Sequence, residues 1–200
     1  MGSFHRVTGE KFRAGIAELR EAVALDPDYA YAHSALAWML YGAIINGWTD
    51  DIMGAAAEAQ PHLKAALEGG NDDPLTLFYA GAAYHYSGRH ERAIHVLETS
   101  LARNPHQPDV HLHLGQACGH LGRFAEAHQH FDRAEQLAPS GGMSLYHGWY
   151  RSTVLGFEAR YEEAVALIED FLPKAARYPT PRIMLVSTWT HWKDPTRPAA

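Results

Sequence analysis

One pattern of residues occurs twice in the sequence, with the two copies 34 residues apart. Each copy begins and ends with proline, has a glycine near the middle of its first half and has an alanine in its second half. The first copy is Pro74, Ala80, Gly81, Tyr84, Gly88, Ala93, Leu97 and Pro105, and the second is Pro108, Leu114, Gly115, Cys118, Gly122, Ala127, Phe131 and Pro139. Self-similarity at a period of about 20 to 50 residues is typical of stacked structural repeats, in which each unit buries its apolar face against its neighbours. The sequence therefore predicts an array of repeats.

The length and residues of this pattern resemble the tetratricopeptide repeat, a helix–turn–helix unit. In that family a small residue, here Gly81 or Gly115, lets the two helices of a unit approach closely. Ala93 and Ala127 match the small residue of the second helix. The resemblance implies an all-α fold, a right-handed α-solenoid of stacked antiparallel helix hairpins.

The repeat pattern also predicts how the chain is divided. We expect a single domain over residues 1–192, with a half repeat at 1–29, repeats at about 30–73, 74–107, 108–141 and 142–178, a capping helix at 180–192 and a flexible tail at 193–200. Ala22 and Ala66 are 44 residues apart and not 34, so the second unit carries ten extra residues, which we place near 45–54. Pro61 falls inside the second helix of that unit, where proline predicts a kink or break near Gln60.

Composition and charge exclude several classes of function. The net charge is −6 and the 17 lysine and arginine residues are scattered, so direct binding of nucleic acid is not expected. The sequence has no run of about 18 apolar residues and no signal peptide, which predicts a cytoplasmic chain with no membrane partner. Cys118 is the only cysteine and lies at a packing position of the repeat, so we expect a buried and inert thiol.

The resemblance also indicates where a ligand would bind. In this family the first helix of each unit lines a concave wall that takes up protein or peptide ligands. By register, the candidate binding residues are Tyr31, Ser34, Trp38, Tyr41, Phe78, His85, Tyr86, Asp109, Gln116 and His120. The wall is rich in aromatic residues, which favours anchoring of an apolar or extended peptide. The alternative for each aromatic residue is packing against a neighbouring repeat.

One well-known partner is disfavoured by the same register. A subclass of the family grips the C-terminal carboxylate of heat-shock chaperones with lysine, arginine and asparagine side chains. The corresponding positions here hold Ser34, Trp38, Phe78 and Ala82. These residues cannot form such a clamp.

The sequence motifs give little support to a catalytic or metal-binding function. The sequence has 14 histidines, but it has no pair spaced i, i+4 with a nearby acid, as a zinc-binding helix requires. It also has no nucleophile elbow, phosphate loop or nucleotide-binding glycine pattern, so we expect a non-enzymatic protein without a cofactor. Two alternatives stay open: self-association through an end of the array, and a histidine-based metal or haem site, for example at His85 and His120.

A second, less specific resemblance concerns the kind of protein in which such a domain occurs. The sequence of residues 4–138, including the long insertion that ends in Gly47 and Trp48, resembles the repeat region of bacterial multidomain signalling proteins. Such regions follow a class III nucleotide-cyclase domain or a winged-helix DNA-binding domain. The resemblance implies that the chain is the interaction or sensory part of a regulator, and it carries over neither activity.

Overall fold

The structure, a computed structural model, describes residues 9–68, 72–138 and 145–171, apart from the side chains of residues 145 and 146. Within these ranges the chain forms nine α-helices and no strand. They are α1 (Gly9–Leu25), α2 (Ala30–Ile45), α3 (Ile52–Leu67), α4 (Pro74–Tyr86), α5 (His90–Arg103), α6 (Pro108–His120), α7 (Phe124–Leu137), α8 (Leu145–Phe157) and α9 (Tyr161–Phe171). The expected capping helix at 180–192 and the tail at 193–200 lie outside the described residues.

The helices after α1 pack in pairs. Helices α2 and α3, α4 and α5, α6 and α7, and α8 and α9 form four hairpins, while α1 packs on α2. The first helices also contact one another, α2 with α4, α4 with α6 and α6 with α8. This arrangement is the all-α solenoid of helix hairpins that the repeat pattern predicts.

The core follows the period of 34 residues. Ala59, Ala93 and Ala127 are fully buried at the same position of three successive second helices. One turn later, Leu63, Leu97 and Phe131 fill the equivalent positions and are also buried. The first helix of each unit must come close to these side chains, which explains the glycines. A Cβ atom on Gly81 would lie 2.6 Å from Cγ of Leu97, and one on Gly115 would lie 2.6 Å from Cε1 of Phe131.

The turns inside the hairpins repeat as well. Gly88 and Gly122 end α4 and α6 with φ angles of 79° and 74°, in the left-handed region that glycine adopts without strain. The same backbone hydrogen bond closes both turns: Arg89 N–H donates to Tyr84 O, and Arg123 N–H donates to Cys118 O. In the α8–α9 hairpin the equivalent position holds Ala159, with φ of 62°.

The second unit differs from the others in length. Its helices α2 and α3 each have 16 residues, whereas α4 and α6 have 13. Trp48, in the connecting loop, packs its ring 4.8 Å from that of Phe12 on α1. The sequence predicted a kink or a break near Gln60. Pro61 lies inside α3 and the helix is uninterrupted from Ile52 to Leu67, so there is no break, and the kink stays a prediction. The side chain of Pro61 is exposed, which leaves its ring clear of the neighbouring helices.

The last described hairpin begins close to the expected positions. Helix α8 covers Leu145–Phe157, where the sequence predicted about 143–157, and α9 begins at Tyr161 as expected. None of the described helices combines the length and apolar character needed to cross a membrane.

Candidate functional site

Five aromatic side chains lie partly exposed on the first helices α2 and α4, and we call them the aromatic patch: Tyr31, Trp38, Phe78, Tyr79 and Tyr86. Tyr79 joins three of the others. Its ring centroid lies 5.7 Å from that of Tyr31, 5.1 Å from that of Trp38 and 5.0 Å from that of Phe78. The sequence predicted four members of the patch and missed Tyr79, whose only sequence signal is its position next to Phe78.

A buried histidine supports one edge of the patch. His113 on α6 places its ring 5.6 Å from that of Phe78 and 5.5 Å from that of Tyr86. Burial lowers the pKa of His113 to about 3, so the ring is neutral at pH 7. His113 therefore acts as an aromatic packing residue under the patch and brings no charge to it.

Four of the ten predicted binding residues are inside the protein. Ser34 is fully buried and donates to the carbonyl oxygen of Tyr31, at 2.9 Å. Tyr41 is buried and accepts a hydrogen bond from Gln60 Nε2. His85 and Gln116 are buried as a pair, and their role is described next. The register of a helix predicts which way a side chain points, but not how deeply the neighbouring helix covers it.

The pair of His85 and Gln116 connects α4 to α6. His85 Nε2 lies 2.8 Å from Gln116 Oε1, and because an amide oxygen only accepts, the histidine nitrogen donates. Burial first, and then the nearby ring of His113, holds the pKa of His85 well below its usual value. The pair satisfies two polar groups in the interior, which makes it a structural link and not a contact for a ligand.

The other six predicted residues reach the surface. Tyr31, Trp38, Phe78 and Tyr86 belong to the aromatic patch, and Asp109 and His120 are exposed on α6. The ring of His120 stacks on that of His90, with a centroid distance of 4.4 Å and an interplanar angle of 5°. In the last hairpin Trp149 is buried and Phe157 is half exposed.

An open pocket of about 530 Å³ adjoins the patch, and we call it the acidic pocket. Its lining residues are Asp26, Asp28, Tyr29, Ala30, Tyr31, Asp73, Leu75 and Thr76. Tyr31 belongs both to the pocket and to the aromatic patch, so the two surfaces are continuous. Asp73 caps α4 and accepts a hydrogen bond from the backbone N–H of Thr76 at 2.7 Å. Three aspartates thus line the pocket at one end of the patch, and one of them, Asp73, also caps α4.

Acidic character extends past the pocket to α6. Burial raises the pKa of Tyr79 to about 12, and smaller contributions come from the hydroxyl of Tyr31 and the carboxylate of Asp109. Asp109 is therefore close enough to act electrostatically on the centre of the patch.

In two of the hairpins, histidine side chains pair at the same position of the repeat. His33 Nδ1 lies 2.8 Å from His62 Nδ1 between α2 and α3, and His111 Nδ1 lies 3.0 Å from His130 Nδ1 between α6 and α7. His33 Nε2 donates to the carbonyl oxygen of Pro27, so in the neutral ring its Nδ1 is an acceptor and His62 Nδ1–H is the donor. The sequence analysis missed these pairs because they join different helices.

The described side chains include no group of three or more histidine, cysteine, aspartate and glutamate residues that could hold a metal ion. Cys118 is free and buried, and burial raises the pKa of its thiol. A buried thiol with a raised pKa is a poor nucleophile, as expected for a packing residue.

Comparison with known proteins agrees with the repeat pattern. Residues 80–142 match the family model described as tetratricopeptide repeat. The match supports the family resemblance, and domains of this kind generally mediate protein–protein interaction and scaffolding. Comparison with curated proteins gives no match.

Two solved structures are similar in fold. One is the crystal structure of MamA, at 17% identity and a TM-score of 0.53, with 86% of this chain and 96% of that chain covered. The other comes from a functional characterization of Pseudomonas aeruginosa pilF, at 18% identity and a TM-score of 0.55, with 94% of this chain and 90% of that chain covered. Similarity at this level of identity supports the helical-repeat fold alone.

Proposed function

We propose that the chain is a non-catalytic scaffold that binds a segment of another protein along the aromatic patch. The observation that carries the proposal is the patch itself: five aromatic side chains that stay partly exposed, four of them in ring contact through Tyr79 and the fifth, Tyr86, joined to Phe78 through the buried His113. Aromatic side chains of this kind anchor protein interfaces, because they bury a large area with little loss of conformational entropy.

The distribution of charge supports this choice of surface. Helices α2 and α4, which carry the patch, contain no aspartate, glutamate, lysine or arginine, and α6 contains only Asp109. Helix α5 is the second helix of the same hairpin as α4 and contains four such residues, Glu91, Arg92, Glu98 and Arg103. An uncharged helix face costs little to desolvate, so a partner that covers it leaves few polar groups unsatisfied.

The packing of the layers also favours the first helices. They contact one another along the array, whereas the second helices contact their own partner and the next first helix. In a curved array the layer with the closer spacing lies on the inner side. The aromatic patch would therefore lie on the concave wall, where a bound segment can touch several units at once.

The setting of the scaffold is the second part of the proposal. The sequence of residues 4–138 resembles repeat regions of bacterial regulators, so we propose that the chain is the interaction or sensory part of such a protein. This part depends on the sequence resemblance alone.

The test is a selection of short, end-blocked peptides on the parent protein, followed by measurement of Kd by fluorescence anisotropy. We expect apolar and aromatic peptides to be enriched. Trp38→Ala with Phe78→Ala should weaken their binding by at least about tenfold, which corresponds to about 1.4 kcal/mol. The matched control is Ile52→Ala with Met53→Ala, because these two side chains are exposed on α3 and lie outside the patch.

Two results would overturn the proposal. The first is equal binding by the parent and the patch variant when circular dichroism indicates the same helical content. The second is the absence of selected peptides together with a mass that rises with protein concentration, which would favour self-association. Trp38 also packs 6.1 Å from Phe12, so Tyr31→Ala serves as a milder variant if the double change unfolds the protein.

A further inference from the structure

The acidic pocket differs from the aromatic patch in its charge. The wall formed by α2 and α4 is uncharged, whereas three aspartates, Asp26, Asp28 and Asp73, line the pocket at its end. The carboxylate of Asp73 also accepts the hydrogen bonds that cap α4. No lysine, arginine or histidine is among the described lining residues. A bound segment would therefore meet an apolar surface along most of its length and a negative potential at one end.

Several acidic residues elsewhere in the described chain form an ion pair, although not all of them do. Glu58 pairs with Arg20 at 2.7 Å, Asp72 pairs with Arg103, and Asp132 pairs with Arg151 at 2.9 Å. Asp26 and Asp28 form no ion pair with any described lysine or arginine. Among the described residues, the carboxylate of Asp26 accepts one hydrogen bond, from the backbone N–H of Asp28 at 3.2 Å.

The walls of the pocket suit the stem of a long cationic side chain. The rings of Tyr29 and Tyr31 lie 5.7 Å apart, and Leu75 adds an exposed apolar side chain beside them. Lysine and arginine bury their methylene groups along such surfaces and keep the charged end near carboxylates. The faces of the tyrosine rings add a further attraction for a cation.

We propose that the acidic pocket receives a lysine or arginine side chain of the same segment whose apolar side chains lie on the aromatic patch. This inference depends on the proposed function and sharpens it. The partner segment carries a basic residue next to a run of apolar or aromatic residues. A segment with an acidic or phosphorylated residue at that place would be repelled by the three carboxylates.

The experiment compares three end-blocked peptides that differ at one position, which holds lysine, norleucine or glutamate. The remaining residues come from the peptide that binds the parent most tightly. We expect the lysine peptide to bind about tenfold more tightly than the norleucine peptide, and the glutamate peptide to bind weakest. The affinity of the lysine peptide should fall as salt is added, and that of the norleucine peptide should change little.

The protein variant is Asp26→Asn with Asp28→Asn, which keeps the shape of the pocket and removes two charges. This variant should bind the lysine peptide about tenfold more weakly than the parent does, and its affinity for the norleucine peptide should stay within twofold of the parent's. The matched control is Glu18→Gln with Glu21→Gln, which makes the same change in net charge at exposed positions of α1.

The outcomes separate this inference from the proposed function. Suppose that Trp38→Ala with Phe78→Ala loses binding while Asp26→Asn with Asp28→Asn binds both peptides like the parent. Binding along the aromatic patch is then supported, and the inference that a basic side chain enters the acidic pocket is wrong. If no peptide binds the parent, both proposals fail. If the parent self-associates and the asparagine variant does not, the basic side chain belongs to a second copy, and the assignment to a separate partner is overturned.

Discussion

The α4–α5 and α6–α7 hairpins have the same register and different interiors. Gly81 and Gly115 occupy the same place, as do Leu97 and Phe131, and both large side chains are fully buried. The α4–α5 hairpin also has the buried residues Leu77 and Val96, whereas the α6–α7 hairpin has His111 and His130 at the equivalent positions. The α2–α3 hairpin resembles the latter, with His33 and His62.

The comparison teaches which positions define the hairpin. The small residues and the large side chain between the helices are constrained, because they set the distance between the helix axes. The neighbouring pair accepts either apolar residues or two histidines that hydrogen-bond to each other. The predictions below change these positions one at a time.

The largest effect is expected from crowding the close approach in the α6–α7 hairpin. Gly115→Ala should lower the free energy of unfolding by about 3 kcal/mol, because the new methyl group meets both the rigid ring of Phe131 and the backbone oxygen of Ala127. Gly81→Ala should cost only about 1 kcal/mol, because its close contacts are to a leucine side chain that can change rotamer. Denaturant unfolding of both variants measures the difference, and equal losses would contradict it.

The next effect concerns the proline in α3. The positions equivalent to Pro61 are His95 in α5 and Gln129 in α7, and all three side chains are exposed. Pro61→Gln should raise the free energy of unfolding by about 2 kcal/mol, because it restores the hydrogen bond to the carbonyl of Ala57 that proline cannot form. Gln129→Ala is the control and should change stability by less than about 0.5 kcal/mol. An unchanged midpoint for Pro61→Gln would mean that the surrounding packing already compensates for the proline.

A smaller effect is expected at the hairpin turns. Ala159 has the positive φ that Gly88 and Gly122 adopt in the other hairpins. Ala159→Gly should raise the melting temperature, with a gain of about 1 kcal/mol, because it removes the strain of a left-handed backbone conformation. The reverse change, Gly122→Ala, should cost about as much. Thermal unfolding of the pair tests the prediction, which is wrong if both changes shift the melting temperature in the same direction.

The smallest effect at neutral pH is expected at the histidine pairs. Burial lowers the pKa of His111 from 6.5 to about 4, and it also lowers that of His130. Because these folded-state values lie below the unfolded one, the stability they contribute is complete above about pH 6.5 and is lost as the pH falls toward 4.

His111→Leu with His130→Val copies the α4–α5 interior, so it should change stability at pH 7 by less than about 1 kcal/mol. It should also move the midpoint of acid unfolding down by roughly half a pH unit. Replacement of the exposed His95 by glutamine should leave the midpoint in place. An acid midpoint that is the same for the parent and the double variant would show that the pair does not govern acid unfolding.

Much of the fold follows from the sequence because the repeat constrains it locally. Residues such as Gly115 and Phe131 must touch wherever the hairpin forms, so the spacing, together with the family that it resembles, indicates that they are core. The bounds of α4 to α7 follow from the prolines and glycines that flank them. The uninterrupted α3 could not be predicted, since it depends on whether the ring of Pro61 has room, which only the packed structure determines.

The candidate site is less predictable for a similar reason. Register with the family predicted that Trp38 and Phe78 line the concave wall, but it could not give the depth at which His85 lies under α6. The hydrogen bond from His85 to Gln116 and the pair of His111 and His130 both form between helices, and no spacing along one helix encodes them. Their nearest sequence signal is that polar residues recur where the repeat expects apolar ones.

A hydrogen bond between described residues of the array skips a hairpin. The hydroxyl groups of Tyr86 on α4 and Tyr150 on α8 lie 2.6 Å apart, although 64 residues and the whole α6–α7 hairpin separate them in the chain. In an ideal array each unit interacts only with its nearest neighbours, so the ends can unfold while the middle stays folded. A bond between next-nearest units couples their unfolding, because opening the last described hairpin also breaks a contact of the α4–α5 hairpin. Amide hydrogens of α4 and α8 should consequently exchange with solvent in a single cooperative opening event.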